Sequence, residues 1–528
     1  MNKEKILKAM LNFPLWLILP AAFTGGMLYA AALPPLNWSF AVFIALIPLI
    51  FTAIVKNWKI RLLAGWLWGL GWSFFAYNFL REIHPAVPWM LSPIISLWPA
   101  VYTLLLGFLA RKILSDRSFD HNCQLNVPVH EALLFLFGAA ALFTILEWTR
   151  YYLFVWNDLS VTMWRLPALM QIARITGRYG VSFLITSVNG AIFAFLFLRK
   201  KRWLPGAVML IFPVIALIYG IYRMNSTDEF QEKVTWKCAL VQANLPQQRV
   251  ATPKTVIYAI NSYYNLSQTV MVNDPQTVIW PECAIPIALR SASDGGDYYR
   301  RAVAALNTQM LIGTLDFGKN PGEITNSALL VSADGEYTGK YDKFHRVPYG
   351  EYVPFRAFLP ESWIKAFDMG RDLTAGKKLE PLKISDQIRA GTAVCYEGVF
   401  SYVTTGFAAN HANVLVAVSN DVWYPKSSEP EQHLANAVMR CVETGLPMVR
   451  CGNNGGSGVV TSRGVFTQYI GSKAERPELL REKAAGIVVV ELEKNPEKTP
   501  AVRFENWFVY LLILLIMTDV GWSVRKKN

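Results

Sequence analysis

A glutamate, a lysine and a cysteine, each in an unusual local sequence, could together do covalent chemistry. Glu282 stands in Thr277-Val-Ile-Trp-Pro-Glu282-Cys-Ala-Ile-Pro286. Lys343 stands in Gly339-Lys-Tyr-Asp-Lys343-Phe-His-Arg-Val-Pro-Tyr-Gly-Glu351-Tyr-Val-Pro354, and Cys395 in Gly391-Thr-Ala-Val-Cys395-Tyr-Glu397-Gly398. A thiol attacks a carbonyl as its thiolate, and a carboxylate can take the thiol proton. An ammonium can hold the oxyanion that the attack creates. Cysteine then carries the acyl group as a thioester, which a second nucleophile opens. Taken singly, a glutamate at a strand end is usually solvated and a cysteine usually sits in a core. The joint pattern, with its flanking Pro and Gly, points to acyl transfer.

Each of these segments ends a predicted strand, where loops converge and functional groups gather. Short apolar runs predict strands at Lys237–Gln242, Thr277–Trp280, Met310–Thr314, Ser327–Ser332, Ile388–Val394, Val414–Val418, Met448–Cys451, Gly458–Thr461 and Ile487–Glu491. Helical periodicity predicts helices at 253–273, 295–308, 398–410 and 429–444. Asp334–Gly335 marks a hairpin turn between Ser327–Ser332 and Glu336–Tyr341. Strands alternating with helices make residues 226–500 an α/β domain.

The rest of the chain is of another character. Of 528 residues, 53% are hydrophobic and only 17% charged, a deficit that suits membrane segments. Apolar stretches of bilayer-spanning length fall at 12–33, 38–55, 62–80, 87–110, 131–154, 179–199, 203–222 and 506–524. The first is too long to be a cleaved signal peptide. Glu147 and Arg150 lie inside the fifth, one helical turn apart, and read as a structural pair facing the bundle interior. Basic residues cluster at Lys3, Lys5 and Lys8; at Lys56, Lys59 and Arg61; at Arg111, Lys112 and Arg117; at Arg199–Arg202; and at Arg525, Lys526 and Lys527. With eight spans all five clusters share one side, which the positive-inside rule makes cytoplasmic. Residues 226–500 then lie outside the cytoplasm. The net charge of +13 is thus topology signalling, and no basic–aromatic stripe or motif suggests nucleic acid. The six cysteines show no metal spacing and no disulfide framework.

The order W-P-E, K-x-x-x-V-P-x-G-E, C-Y-E over about 226–500 resembles the nitrilase, or carbon–nitrogen hydrolase, superfamily. With seven predicted spans before that domain and one after, the chain resembles the apolipoprotein N-acyltransferase family. Val241-Gln-Ala-Asn-Leu-Pro246, Asn420-Asp-Val-Trp423 and Asn453-Asn454-Gly455 resemble further landmarks of it. The resemblance implies a multi-pass α-helical membrane bundle of eight transmembrane helices carrying an α/β nitrilase-type α-β-β-α sandwich. It divides the chain into a seven-helix bundle (1–225), a catalytic domain (226–500), and an eighth helix with a short cytoplasmic tail (501–528). Glu282 would be the general base, Lys343 the oxyanion stabiliser and Cys395 the nucleophile. Glu351 would support the lysine and thiol electrostatically, Tyr396 and Glu397 would shape the site, and Trp423 would line the acyl pocket or its entrance, with simple packing as its alternative.

The activity implied is ping-pong transfer of a fatty acyl chain from a phospholipid to the α-amino group of the diacylglyceryl-cysteine of an apolipoprotein. Phosphatidylethanolamine is the expected donor, and no metal or organic cofactor is needed. The expected location is the bacterial inner membrane, with the catalytic domain periplasmic and both termini cytoplasmic. Lipid substrates leave a bilayer at a cost of about 0.8 kcal/mol per methylene, so a site fed from the membrane avoids that cost. Competing readings are an amidase acting on small amides and a membrane scaffold or transporter with an inactive domain. An apolar, membrane-facing site argues against the first and the complete triad against the second.

The chain departs from the family pattern at Cys283, where Thr is common, at Arg346, where Leu usually precedes Val-Pro, and at Val250 and Ala251, where many relatives carry a Trp. Cys283 reads as a small packing residue. His345 and His433 are possible bases; His433 shares a helical face with Arg440, which suggests a surface or helix-packing role.

Overall fold

Hydrophobic periodicity builds two different solvents' worth of structure from one chain. The computed structural model describes residues 15–115, 124–198, 203–226, 232–246, 252–288, 294–361, 372–424, 426–471 and 480–525. Lys3, Lys5, Lys8, Arg117, Arg199–Arg202, Val250, Ala251, Lys526 and Lys527 lie outside the described residues. The chain divides into two compact units, Met1–Ser226 with Phe504–Asn528, and Thr227–Arg503.

The first unit is all-helical. Its main helices are α1 (Leu15–Ala32), α2 (Trp58–Ala76), α3 (Val87–Ile113), α4 (Val129–Arg150), α5 (Arg178–Phe197) and α6 (Leu204–Asn225). Among the described residues, four helices are long and apolar enough to cross a bilayer, α3 through α6. Leu17–Ala32, Ser39–Ile54 and Trp507–Thr518 are shorter apolar stretches. The expected second span is broken into short helical pieces, Val42–Ala45 and Ile47–Phe51 among them. Pro48 lacks an N–H, and Asn189 of α5 caps the break: its Oδ1 accepts from Leu46 N at 2.9 Å and its Nδ2 donates to Val42 O at 2.9 Å. The third begins earlier than expected, because Asn57 accepts from Lys59 N and starts the helix there.

Glu147 and Arg150 do not pair with each other as expected. Arg150 Nη2 binds Asp158 Oδ1 at 2.8 Å, and Arg178 Nη1 binds Asp158 Oδ2 at 2.8 Å. Glu147 instead accepts from Leu159 N at 2.6 Å and Ser182 Oγ at 2.5 Å. The charges are buried but matched, as low dielectric requires. They tie α4, α5 and the 151–163 connection into one network.

The second unit holds two six-stranded sheets. The first runs β12-β1-β2-β3-β4-β5, from β1 (Lys233–Gln242), β2 (Thr277–Ala288), β3 (Gln309–Phe317), β4 (Ile324–Val331), β5 (Tyr337–Asp342) and β12 (Ala484–Glu493). The second runs β11-β10-β9-β8-β7-β6, from β6 (Leu382–Lys383), β7 (Arg389–Val394), β8 (Val414–Ser419), β9 (Met448–Gly452), β10 (Gly458–Val460) and β11 (Phe466–Thr467). Helices α7 (Pro253–Met271) and α8 (Asp294–Leu306) cover the first sheet through Val256, Ile260, Tyr263, Tyr299 and Val303, which pack with Trp280 and Ile312. Helices α9 (Ser401–Ala409) and α10 (Glu429–Thr444) belong to the second. Strands with both faces covered read as near-continuous apolar runs: Val414–Ser419 is buried at every position, and only its last residue is polar.

Between the sheets, Cys451 Sγ lies 3.3 Å from Ile279 O and 3.7 Å from Val241 O. Two of the sequence landmarks meet here. Asn453 receives Leu245 N and Tyr263 OH on Oδ1, both at 3.0 Å, and Ser457 Oγ donates to Gln242 Oε1 at 2.7 Å. This is an α-β-β-α arrangement. Helix α11 (Trp507–Arg525) returns to the helical unit, where Trp507 Nε1 donates to Ile175 O at 2.9 Å.

Candidate active site

Glu282 is placed by an irregularity in a strand. Strands β2 and β3 pair in register to Trp280↔Ile312 and resume at Ile285↔Thr314, so the Pro281–Ala284 stretch bulges. Gly313 makes room for it: a Cβ there would stand 2.4 Å from Pro281 O and 2.5 Å from Glu282 Cα. Cys283, inside the bulge, takes a left-handed φ of 47°. Burial, then the charges of Glu282 and Glu351, push its thiol up.

Lys343 follows β5 directly, and its backbone N donates to Asn326 O at 2.8 Å. Its side chain is only 1% exposed and lies between two carboxylates, 2.9 Å from Glu351 Oε1 and 3.2 Å from Glu282 Oε1. Asn326, from β4, donates to the same two oxygens at 2.7 and 2.8 Å. Glu351 is held in turn by Val347 N on Oε2 at 2.7 Å. Burial opposes the Lys343 ammonium, but Glu351 and Glu282 outweigh it and hold its pKa well above the usual lysine range. Both bonds to Glu282 fall on Oε1. Among the described residues no donor occupies Oε2.

Cys395 follows β7 directly, at a left-handed φ of 54° that a non-glycine residue rarely adopts. Burial, then the charge of Glu282, push its thiol well above the usual range, while Lys343 pulls it down. The group therefore rests as a thiol beside a carboxylate and an ammonium. The structure brings Glu282, Lys343, Glu351 and Cys395 together.

Glu397 is not a substrate-facing acid. Its Oε1 accepts from Phe344 N at 2.7 Å, His345 N at 2.9 Å and Tyr341 OH at 2.9 Å, and its Oε2 accepts from Val394 N at 2.8 Å. It thus staples the lysine loop to the cysteine turn, even though burial pushes its carboxyl up to about 7. Tyr396 packs its ring on Phe400 at 4.9 Å and near His345 at 5.9 Å. His345 meets Tyr402 OH through Nδ1 at 2.5 Å, and burial, then Lys343, lower it to about 4, so it stays neutral. Arg346, a departure from the family pattern, donates to Leu373 O at 2.7 Å and stacks on Tyr352 at 4.3 Å. Trp423 ends a short turn, Asp421–Trp423, and is 48% exposed.

Of the two roles read for His433, surface and helix packing, burial overturns the first and agrees with the second. His433 is 2% exposed, its Nδ1 lies 2.9 Å from Asp421 Oδ1, and its Nε2 lies 3.0 Å from Cys395 O. Helix α10 is buried along its whole length, so the apparent polar face of His433 and Arg440 points into protein. Arg440 donates to Val399 O at 3.0 Å. Asn326, Asp421 and Arg450 were likewise missed as site residues. The available signals were a polar run, Thr325-Asn326-Ser327, inside an apolar strand, and an arginine, Arg450, in a strand otherwise buried and apolar.

The chain matches the model for the apolipoprotein N-acyltransferase N-terminal domain over residues 25–191 and the carbon-nitrogen hydrolase model over residues 237–484. It is 28% identical to the apolipoprotein N-acyltransferase of Geobacter metallireducens, over 84% of this chain and 85% of that one. It is 29% identical to that of Vibrio cholerae, over 97% and 98%, and 25% identical to that of Haemophilus ducreyi, over 96% and 97%.

Proposed function

The chain belongs to the apolipoprotein N-acyltransferase family, and on that premise we propose that Cys395 carries a fatty acyl chain from a phospholipid to the N-terminal amine of a diacylglyceryl lipoprotein. The observation that carries the reading is a half-buried thiol within the electrostatic reach of the Lys343–Glu282–Glu351 ion pairs. Glu282 Oε2 takes the Cys395 proton as the sulfur attacks the ester carbonyl. Lys343, with nearby backbone N–H groups, holds the oxyanion. The C–O bond breaks, Glu282 returns the proton to the departing lysophospholipid oxygen, and a thioester remains. The lipoprotein amine then attacks the thioester and gives a proton to Glu282. The C–S bond breaks, the amide forms, and the thiolate recovers its proton.

Phosphatidylethanolamine is the proposed donor. The proposed setting is the bacterial inner membrane, crossed eight times, with both termini cytoplasmic and the catalytic unit periplasmic. Basic residues support that topology: Lys56, Lys59 and Arg61 border one pair of apolar segments, and Arg111 and Lys112 end α3. Trp423, half exposed at the end of the Asp421 turn, is proposed to line the acyl pocket.

The test is discharge of an acylated enzyme with a diacylated lipopeptide. Formation of triacylated peptide at a rate well above release of free fatty acid supports the reading. Release of fatty acid alone, with lipopeptide present, would make the protein a hydrolase.

A further inference from the structure

His433 sits where a general base does not. Its Nε2 faces the backbone carbonyl of Cys395 at 3.0 Å rather than a thiol or a substrate space. A carbonyl oxygen only accepts, so Nε2 carries a hydrogen. On the other side Nδ1 faces Asp421 Oδ1 at 2.9 Å. Asp421 is itself fixed by Arg450, whose Nη2 reaches Oδ2 at 2.6 Å. Burial would raise the Asp421 carboxyl, but His433 and Arg450 outweigh it and hold it low, so it too accepts. The ring is thus held at both nitrogens. Asp421, Glu429 and His433 place ligand-type atoms within 4.8 Å of one another, but the Arg450 guanidinium already supplies the cation there.

We propose that His433 is a positioning residue for the oxyanion: by gripping the Cys395 carbonyl it aims the Tyr396 N–H, in the same peptide group, at the oxygen that becomes negative when the thiol attacks. A trans peptide is planar, and its C=O and N–H point in opposite directions. Pinning the oxygen on the α10 side fixes the N–H on the other. The grip also polarises the peptide, which strengthens its N–H as a donor. Three chain-distant pieces are thus recruited to one peptide group: Asp421 after β8, His433 on α10 and Arg450 on β9. The inference rests on the reading of Cys395 as the acylated nucleophile.

Two reactions of the same thiol separate this role from a structural one. Acylation by an ester passes through an oxyanion; alkylation by iodoacetamide does not. Full-length His433→Leu should be acylated more slowly from a tagged phosphatidylethanolamine, by on the order of 10²–10³-fold, the loss expected for one oxyanion donor. Alkylation of Cys395 in the same preparation should keep its wild-type rate. His433→Gln, which retains a side-chain N–H donor, should recover most of the acylation. Where His433→Leu does not fold, Asp421→Asn, which loosens the ring while keeping an acceptor, should show the same split with a smaller loss. Equal losses in both reactions, or acylation of His433→Leu at the wild-type rate, would overturn the proposal. A wild-type protein that alkylates but never acylates would overturn the thioester reading itself, and this inference with it.

Discussion

Asn326 donates to Glu282 Oε1 at 2.8 Å, the same oxygen that Lys343 Nζ reaches at 3.2 Å. The same amide reaches Glu351 Oε1 at 2.7 Å, so one side chain spaces two carboxylates around Lys343. The site is a closed set of charges, and disturbing any member exposes another.

Replacing Asn326 with Leu should therefore act twice. It removes two charge-assisted hydrogen bonds from a buried site, which costs about 2–3 kcal/mol of stability. It also frees Glu282 to rotate, so single-turnover acylation should fall while thermal unfolding shows a smaller cooperative unit still intact. Acylation at the wild-type rate would show that Glu282 needs no such brace.

Lys343→Met removes the only ammonium between Glu282 and Glu351 among the described residues. Leaving two buried carboxylates together should destabilise the catalytic unit by about 3–5 kcal/mol, read by denaturant melting in detergent. Adding Glu351→Gln to it should restore part of that stability without restoring acylation. Recovery of acylation in the double variant would remove Lys343 from the chemistry.

His345 gives the catalytic unit a pH signature. Its folded pKa is lowered to about 4 by burial and then by Lys343, below the 6.5 of an unperturbed histidine. The unfolded chain thus binds the proton first, and stability present above pH 6.5 is lost as pH falls toward 4. The effect is no more than about 3 kcal/mol. His345→Phe should flatten the stability profile in that window, measured by melting at a series of pH values. An unchanged slope would assign it to other groups.

In the helical unit, Asp158 bridges Arg150 and Arg178, each at 2.8 Å. Asp158→Asn leaves two buried guanidinium groups without their carboxylate and should cost about 3–5 kcal/mol. Lower thermal resistance in detergent checks this. Wild-type resistance would mean that the carbonyls of Phe154 and Trp156, which Arg150 also reaches, suffice.

Much of this was legible in the sequence because the reactive residues follow strands immediately. Lys343 and Cys395 come one residue after β5 and β7, where a strand pattern and a turn pattern meet in the sequence. Strand and helix positions in the second unit followed from periodicity, since buried parallel strands are continuous apolar runs. The two-residue strands β6 and β11 were too short to show any period. Asn326 was missed for another reason. Its polar run, Thr325-Asn326-Ser327, marks an unusual strand, but the carboxylates it spaces come from other elements. His433 misled because helical spacing reports which residues share a face, and says nothing of whether that face meets water. Arg150 failed similarly: its nearest acid in sequence, Glu147, lost to Asp158, which the following turn brings back. The apolar segments were located well, but the break at Leu46 depends on Asn189, far along the chain.

The central claim is a thioester on Cys395. The measurement is intact-protein mass after incubating wild type and Cys395→Ala with phosphatidylethanolamine tagged on its sn-1 acyl chain. The predicted result is an added acyl mass on wild type that hydroxylamine removes and that Cys395→Ala never acquires. An acyl mass that persists in Cys395→Ala, or none on folded wild type with accessible lipid, would contradict the account.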